Sequence, residues 1–188
     1  MNKRFLILLL SLCSMAFFSS CVDDDDDYKI DEEWKAYQDG IVAKAASTGS
    51  GYNSTISTSG NGNVYWREIT DFVPDKGDEN FDRTLSPLFT DSVYVRYEGW
   101  YYKQDGDSTV FDTTEGTSGN GRVVRFLTSS LVDGYTTMLQ NMMEGDQVEV
   151  CIPQKLGYGV YGNNSIPGYT TLWFKIKLLK VKRAGIDF

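Results

Sequence analysis

The strongest constraint on the fold is a period-two alternation of apolar side chains in the second half of the chain. Residues 93–102 and 171–181 each place apolar residues at every second position, which is the spacing of a half-buried β-strand. Between these segments, four apolar residues recur at helical spacing, namely Tyr135, Met138, Leu139 and Met142. We expect Asp133 to be the N-cap of this short helix and Gly145 to be its C′ residue, the first residue beyond the C-cap. Residues 91–182 therefore predict the α+β class, with a half-open antiparallel β-sheet wrapped around one short helix.

Residues 31–90 indicate an extension that precedes this sheet. A helix is predicted from Asp31 to Ala46, because Asp31 can cap it and apolar residues follow at helical spacing. Residues 52–58 and 63–70 predict the two strands of a β-hairpin, since the glycines between them supply the positive φ of a tight turn. Residues 71–91 are polar and contain two prolines, which indicates a long loop between strands.

The first twenty residues have the features of a signal peptide. Lys3 and Arg4 precede an apolar run from Phe5 to Phe18, which is shorter than the roughly 20 residues of a bilayer span. The run leads to Cys21 through a sequence that resembles the lipobox of bacterial lipoproteins. This resemblance implies removal of residues 1–20 and an outer-membrane lipoprotein anchored through lipid on Cys21.

The linker at residues 21–30 contains five consecutive aspartates, Asp23 to Asp27. Like charges repel one another, so this segment should be extended and solvated. An acidic run directly behind a lipidated cysteine resembles the export signal of surface-exposed lipoproteins of the Bacteroidetes group. The alternatives are a spacer on a periplasm-facing lipoprotein and a tract that binds calcium weakly.

Charge and the absence of histidine exclude several classes of function. Loss of residues 1–20 removes two basic residues and no acidic ones, so the formal charge falls from −8 to −10. A chain this acidic repels nucleic acid, and we expect no nucleic-acid partner. Without histidine, Ser-His-Asp and Cys-His catalysis and the usual zinc sites are excluded. Cys151 lies in an alternating strand pattern, so we interpret it as a packing residue.

Three separated motifs between residues 91 and 182 resemble those of a known family. The first is residues 93–99 followed by Phe111-Asp112, and the second is residues 131–145. The third is residues 156–159, followed by Ile166-Pro167 and residues 172–174. In order and spacing they resemble the FKBP-type peptidyl-prolyl cis-trans isomerases over about half of the chain. The resemblance implies an FKBP-like fold with a pocket that binds proline-containing polypeptides.

In this family the proline ring rests on an aromatic floor at the start of the helix, surrounded by aromatic and apolar walls. By position, the resemblance assigns catalytic roles to Tyr97, Phe111, Asp112, Tyr135, Tyr158 and Phe174. It assigns substrate-binding roles to Val124, Leu131, Val132 and Ile166. Tyr158 matches the tyrosine that hydrogen-bonds a substrate carbonyl, and the backbone of Leu131 and Val132 matches the segment that holds the substrate.

Two hypotheses follow from how this sequence matches and departs from the family. One is a lipid-anchored isomerase that needs no cofactor and assists the folding of exported proteins. The other is a binding module for a peptide, a partner protein or a glycan, with little turnover. Tyr135 stands where the family usually has tryptophan, and residues 115–121 form a longer loop, which both favour the module. Arg122 is a candidate for the arginine that often pairs with the aspartate at position 112.

Replacing Cys21 by serine should release the protein from the membrane fraction. The reason is that the lipid on Cys21 is predicted to be the anchor, and each buried methylene of a lipid contributes about 0.8 kcal/mol of membrane affinity. Fractionation of cells that express wild type or Cys21→Ser, each washed with high salt, measures this. A Cys21→Ser protein that stays with the washed membranes would contradict the lipoprotein assignment.

Overall fold

The computed structural model describes residues 31–72, 80–116 and 121–185, so the predicted signal peptide, linker and lipidation site lie outside the described residues. Seven strands in these ranges form one antiparallel sheet. The strands are β1 Asn53–Ile56, β2 Asn63–Glu68, β3 Ser92–Tyr102, β4 Ser108–Thr113, β5 Val124–Leu127, β6 Gln147–Ile152 and β7 Leu172–Lys182. Two α-helices accompany them, α1 at Glu32–Ala46 and α2 at Asp133–Gln140.

Strand β3 is the organising strand of the sheet, whose order is β1-β2-β6-β7-β3-β4 with β5 also beside β3. One edge of β3 pairs with β7 from Ser92 to Trp100. Its other edge pairs first with β5 and then, further along, with β4. Register shifts at Tyr94/Val95 and at Gly99/Trp100 mark bulges, which bend a strand and increase its twist. The sheet can therefore curve around a helix.

Helix α2 fills the face of the sheet that carries the main core. Residues 134–139 of this helix are all buried, and Met138, Leu139 and Met142 are fully inaccessible. They pack against the alternating residues of β3 and β7, which confirms the predicted apolar faces of both strands. Among these, Leu172, Ile176 and Leu178 of β7 are also fully inaccessible. The predicted half-open sheet around one short helix is confirmed.

Helix α1 packs on the other face of the sheet. Ala45 of this helix belongs to a second buried cluster together with Trp100, Cys151 and Trp173. Trp173 and Phe174 are neighbours in β7 but belong to different clusters, because successive strand side chains point to opposite faces. Cys151 is fully buried and burial raises its pKa, so it is the packing residue that the sequence predicted.

The helix and the β-hairpin predicted within residues 31–90 are confirmed. Asp31 caps α1 by accepting a hydrogen bond from the Trp34 backbone N–H at 2.9 Å. The hairpin β1–β2 pairs Asn53 with Trp66, and β2 continues the sheet by pairing with β6. The predicted loop at residues 71–91 carries no strand or α-helix in its described parts, and residues 73–79 lie outside them.

None of the helices in the described ranges has the length and hydropathy of a membrane span.

Two predictions about the ends of α2 are wrong. The N-cap position is Val132, which makes no side-chain cap, and Asp133 is the first residue of the helix. The Asp133 carboxylate accepts hydrogen bonds from the hydroxyls of Thr58 and Ser59 in the β1–β2 turn, so a distant partner has taken its capping oxygens. The helix ends at Gln140 with Asn141 as C-cap, and Gly145 (φ 93°) lies in the turn that follows.

Asp91 ties the start of β3 to the end of the described chain. Its buried carboxylate accepts the backbone N–H of Leu88 at 2.8 Å and that of Ala184 at 3.2 Å, and it pairs with Arg183. Burial acts to raise the pKa of Asp91, but these three partners outweigh burial and hold the pKa below its ordinary value of 3.8. The ionised carboxylate therefore stabilises the fold at neutral pH.

Replacing Asp91 by asparagine should lower the free energy of unfolding at neutral pH by about 1.5–3 kcal/mol, the value of hydrogen bonds to a charged group. Because the folded-state pKa is depressed, this contribution is fully present above the unfolded-state pKa of about 3.9 and disappears as the pH falls through the folded-state pKa. Urea unfolding at about pH 7 and about pH 3 should show the difference from wild type shrinking at the lower pH.

The matched control is Asp39→Asn, which removes an exposed carboxylate paired with Lys35 four residues earlier in α1. This exposed surface pair should contribute little to stability at either pH. An Asp91→Asn destabilisation that is the same at both pH values would show that the charge of Asp91 is not what stabilises the fold.

Candidate active site

A cavity of about 380 Å³ opens beside the start of α2, on the face of the sheet that carries the main core. Nine of the ten predicted pocket residues line it, contributed by β3, β4, β7, the start of α2 and the connecting segments. They are Tyr97, Phe111, Asp112, Leu131, Val132, Tyr135, Tyr158, Ile166 and Phe174. A cavity of this size is within the usual range for small-molecule sites and can hold a proline ring with its neighbouring backbone.

Edge-to-face aromatic contacts build the inner wall of the cavity. The rings of Tyr135 and Phe174 lie 4.9 Å apart at 87°, and those of Phe111 and Phe174 lie 5.5 Å apart at 85°. The ring centroids of Tyr97 and Tyr135 lie 6.3 Å apart, with an angle of 86° between the ring planes. These are the preferred geometries of aromatic pairs, each contributing about 0.5–1.5 kcal/mol beyond burial. The wall is therefore apolar and closely packed.

Tyr97 and Asp112 form a hydrogen-bonded pair at the mouth of the cavity. The Tyr97 hydroxyl donates to the Asp112 carboxylate, which is otherwise exposed. Burial and then this hydrogen bond raise the pKa of Tyr97, so the hydroxyl stays protonated and keeps the carboxylate oriented. The positive charge of Arg122 acts in the opposite direction on this pKa, but Arg122 does not line the cavity.

The hydroxyl of Tyr135 at the cavity floor is buried and has no hydrogen-bond partner among the described residues. Burial raises the pKa of Tyr135 well above its ordinary value, so the group is a neutral phenol. An unpaired buried hydroxyl costs about 1–3 kcal/mol, which a nearby acceptor would recover. The floor is thus apolar over its ring but carries one hydrogen-bond donor that lacks an acceptor.

Residues 157–171, here called the pocket loop, bring Tyr158 and Ile166 to the cavity. Ile166 is buried, whereas Tyr158 is 39% exposed and also lines the cavity. Asn163 shapes the loop because its side-chain oxygen accepts the N–H of Ser165 and of Ile166, both at 2.9 Å. Gly162 has a φ of 68°, and a Cβ there would lie 2.1 Å from the Ile166 carbonyl oxygen, so only glycine fits.

The structure does not bring Val124 into the cavity. Its place is taken by Phe126, two residues further along the same face of β5, whose ring lies 5.8 Å from that of Tyr97. Phe126 was missed in the sequence, although its aromatic character and its period-two relation to Val124 were the signals that could have found it. Ser130, Asn163 and Ser165 also line the cavity and add polar groups at its rim.

Within the described ranges, no cluster of three or more carboxylates or cysteines is placed to hold a metal ion.

Comparison with known proteins identifies the family to which this cavity belongs. The sequence model of the FKBP-type peptidyl-prolyl cis-trans isomerases matches residues 86–179, half of the chain. The chain belongs to the FKBP-type family. The match spans β3 to β7, and thus every element that contributes to the cavity wall.

Curated relatives match about half of the chain. The macrophage infectivity potentiator of Trypanosoma cruzi is 35% identical over 101 residues, which is 53% of this chain and 48% of that protein. The outer membrane protein MIP of Legionella longbeachae is 38% identical over 100 residues, 53% of this chain and 40% of that protein. FkpA of Escherichia coli K12 is 32% identical over 99 residues, 53% of this chain and 34% of that protein. The chain therefore spans about half or less of the length of these relatives.

Solved structures of FKBP-type proteins share the fold over a larger part of the chain. The crystal structure of Escherichia coli FkpA superposes with a TM-score of 0.60 at 25% identity, covering 81% of this chain and 61% of that one. A peptidyl-prolyl cis-trans isomerase of Pseudomonas syringae superposes with a TM-score of 0.56, also at 25% identity, covering 81% of this chain and 95% of that one. The architecture around the cavity is thus that of the family.

Replacing Gly99 by alanine should close part of the cavity. Gly99 lies in β3 between two pocket walls, and an added Cβ would lie 2.6 Å from Phe174 and 2.8 Å from Phe111. Both rings must move, so we expect a loss of about 1–3 kcal/mol in unfolding free energy, as for other overpacked sites. We also expect a weaker affinity for a prolyl peptide, measured by titration. Gly40→Ala is the control, since a Cβ there meets nothing within 4 Å. Unchanged stability and peptide affinity in Gly99→Ala would refute the close packing described.

Proposed function

We propose that this protein catalyses cis-trans isomerisation of X-Pro peptide bonds. The observation that carries the proposal is the aromatic cavity, whose inner wall contains three buried rings and the partly buried ring of Phe111, with Tyr158 exposed at the rim. The proline ring would lie over Tyr135, between Tyr97 and Phe174. Membership of the FKBP-type family supports this function, while the activity of the whole chain and its substrates are our proposal.

An apolar cavity can accelerate this reaction without acid, base or metal. The X-Pro bond rotates slowly because resonance gives its C–N bond partial double-bond character, with a barrier of about 18–20 kcal/mol. The twisted transition state has lost this resonance and is less dipolar than the planar amide. A site that excludes water therefore favours the twisted state over the ground state, which is the requirement for catalysis.

Polar groups at the rim would hold the peptide while its bond rotates. We assign the Tyr158 hydroxyl as donor to a substrate carbonyl, because it is exposed and borders the cavity. We assign the backbone of Leu131 and Val132, which leads into α2, as the segment that holds the substrate chain. Asp112, oriented by Tyr97, would place negative charge beside the rotating amide.

The proposed setting is the cell envelope. Relatives include a protein named outer membrane protein MIP, and the first twenty-one residues of this chain have the features of a lipoprotein signal. We propose that residues 91–182 form the isomerase domain, that residues 31–90 extend it, and that lipid on Cys21 holds it to the membrane behind an acidic linker. Its substrates would be proline-containing segments of exported proteins during folding.

A binding module is the second candidate, and one observation favours it. The Tyr135 hydroxyl is a buried donor without a partner at the cavity floor, so a ligand with an acceptor at that depth would gain affinity there. Such a ligand would be held in its ground state, which does not accelerate rotation. Turnover of a prolyl peptide distinguishes the two candidates.

Tyr158→Phe and Phe111→Ala should both lower kcat/KM for a peptide with a bulky apolar residue before proline. Tyr158→Phe removes one neutral hydrogen bond, so its loss should be about two- to tenfold. Phe111→Ala opens a wall and admits water, so its loss should be larger. Tyr135→Trp removes the unpartnered hydroxyl and should hold or raise kcat/KM. A protease-coupled isomerase assay, with circular dichroism to verify folding, measures these effects.

The matched control is Tyr161→Phe, a change of the same kind in the same loop at a residue that is 78% exposed and does not line the cavity. Its kcat/KM should equal that of wild type. If the wild type has no isomerase activity and Tyr135→Trp does not create any, the binding module is favoured. A Tyr158→Phe protein with full activity would show that the substrate contacts are assigned wrongly.

A further inference from the structure

Helix α1, which lies outside the segment matched by the family, reaches the base of the pocket loop. The indole Nε1–H of Trp34 donates a hydrogen bond to the carbonyl oxygen of Gly168 at 2.9 Å. Gly168 is buried and lies two residues beyond Ile166, a wall of the cavity. A residue of the N-terminal extension therefore holds the segment that carries the substrate contacts.

Gln38, one turn further along α1, holds the end of the same loop. Its side chain is 1% exposed, and its amide oxygen accepts the backbone N–H of Thr171 at 2.9 Å. Its amide nitrogen donates to the Tyr102 carbonyl at 2.9 Å, at the end of β3. A buried glutamine whose amide oxygen and nitrogen both have partners is geometrically specific, since leaving either atom unpaired would be costly. Gln38 thus fixes the distance between the loop end and β3.

Backbone contacts inside the pocket loop carry this restraint to Tyr158. The N–H of Tyr169 donates to the Gly159 carbonyl at 2.9 Å, so the residue after Gly168 is bonded to the residue after Tyr158. Tyr169 has a φ of 60°, a left-handed conformation that is unfavourable for a tyrosine. Such a conformation persists only where neighbouring contacts enforce it, and Trp34 and Gln38 supply contacts on either side of it.

A ring contact connects the same tryptophan to the opposite wall of the cavity. The rings of Trp34 and Tyr101 pack edge-to-face, with centroids 6.2 Å apart and planes at 88°. Tyr101 in turn stacks on Phe111, with centroids 6.5 Å apart and planes at 18°. Trp34 therefore contacts both the pocket loop and a residue that supports a wall on β4.

From these contacts we propose that Trp34 and Gln38 are positioning residues for the isomerase site, and that α1 clamps the pocket loop so that Tyr158 meets the substrate. The proposal rests on the proposed function for its kinetic consequence, whereas the restraint on the loop is independent of that function. Residues 31–90 would then be part of the active unit rather than a spacer. The clamp acts through Tyr158. The effects on kcat/KM of losing the clamp and of losing the Tyr158 hydroxyl should therefore not be additive.

Trp34→Phe in the full-length protein is the central variant, because it removes the indole N–H that donates to Gly168 and keeps a smaller aromatic ring beside Tyr101. We expect kcat/KM to fall about two- to tenfold, the effect of one neutral hydrogen bond. In a Tyr158→Phe background the same change should cost less than about twofold, since the positioned hydroxyl is already absent. Tyr37→Phe is the matched control on the same helix, because Tyr37 does not line the cavity, and should leave kcat/KM unchanged.

Amide hydrogen exchange separates this inference from the proposed function. If α1 clamps the loop, Trp34→Phe should speed exchange of the Tyr169 amide at least several-fold and leave that of Leu178, a β7 amide bonded to Asp146, unchanged. This result would support the clamp even if the wild type lacked isomerase activity. Equal Tyr169 exchange in wild type and Trp34→Phe would overturn it. The inference would also be overturned if the fold-losses in kcat/KM of Trp34→Phe and Tyr158→Phe multiplied fully in the double variant.

Discussion

The two-sided pairing of β3 is the constraint on which the rest of the structure depends. One edge is bonded to β7 along most of its length, while the other edge passes from β5 to β4. Where the partner changes, Thr114 satisfies the backbone of Tyr97, accepting its N–H at 2.8 Å and donating to its carbonyl at 2.8 Å. Tyr97 is thus fixed at the point where the sheet opens, and the cavity forms there because two walls diverge from one strand.

Rigidity and dryness are the physical properties that this arrangement supplies. The rings of Tyr97, Tyr135 and Phe174 contact one another at near-perpendicular or tilted angles and are each less than a tenth exposed. We expect such mutually packed rings to need little rearrangement for a substrate, so that their preference for a less dipolar amide is preorganised. The polar groups are confined to the rim and, at the floor, to the hydroxyl of Tyr135.

The sequence predicted what depends on local pattern and missed what depends on distant pairing. Apolar alternation placed β3 and β7 correctly, because both strands bury one face against α2. The cap of α2 was assigned wrongly, since Asp133 binds hydroxyls from a hairpin over seventy residues earlier. Phe126 was missed in favour of Val124, because the two residues share a face of β5 and the pairing of β5 with β3 decides which of them reaches the cavity. No periodicity could reveal that Trp34 would bind the pocket loop.

Exchange NMR on a prolyl peptide tests the central claim most directly, since it observes bond rotation and binding in the same sample. With the wild-type protein at a small fraction of the peptide concentration, we predict exchange cross-peaks between the cis and trans proline signals. Uncatalysed rotation takes tens of seconds or longer, so the peptide alone should give none. Peptide-induced shifts of Tyr135 and Phe174 without cis-trans cross-peaks would contradict the account and identify the cavity as a binding site alone.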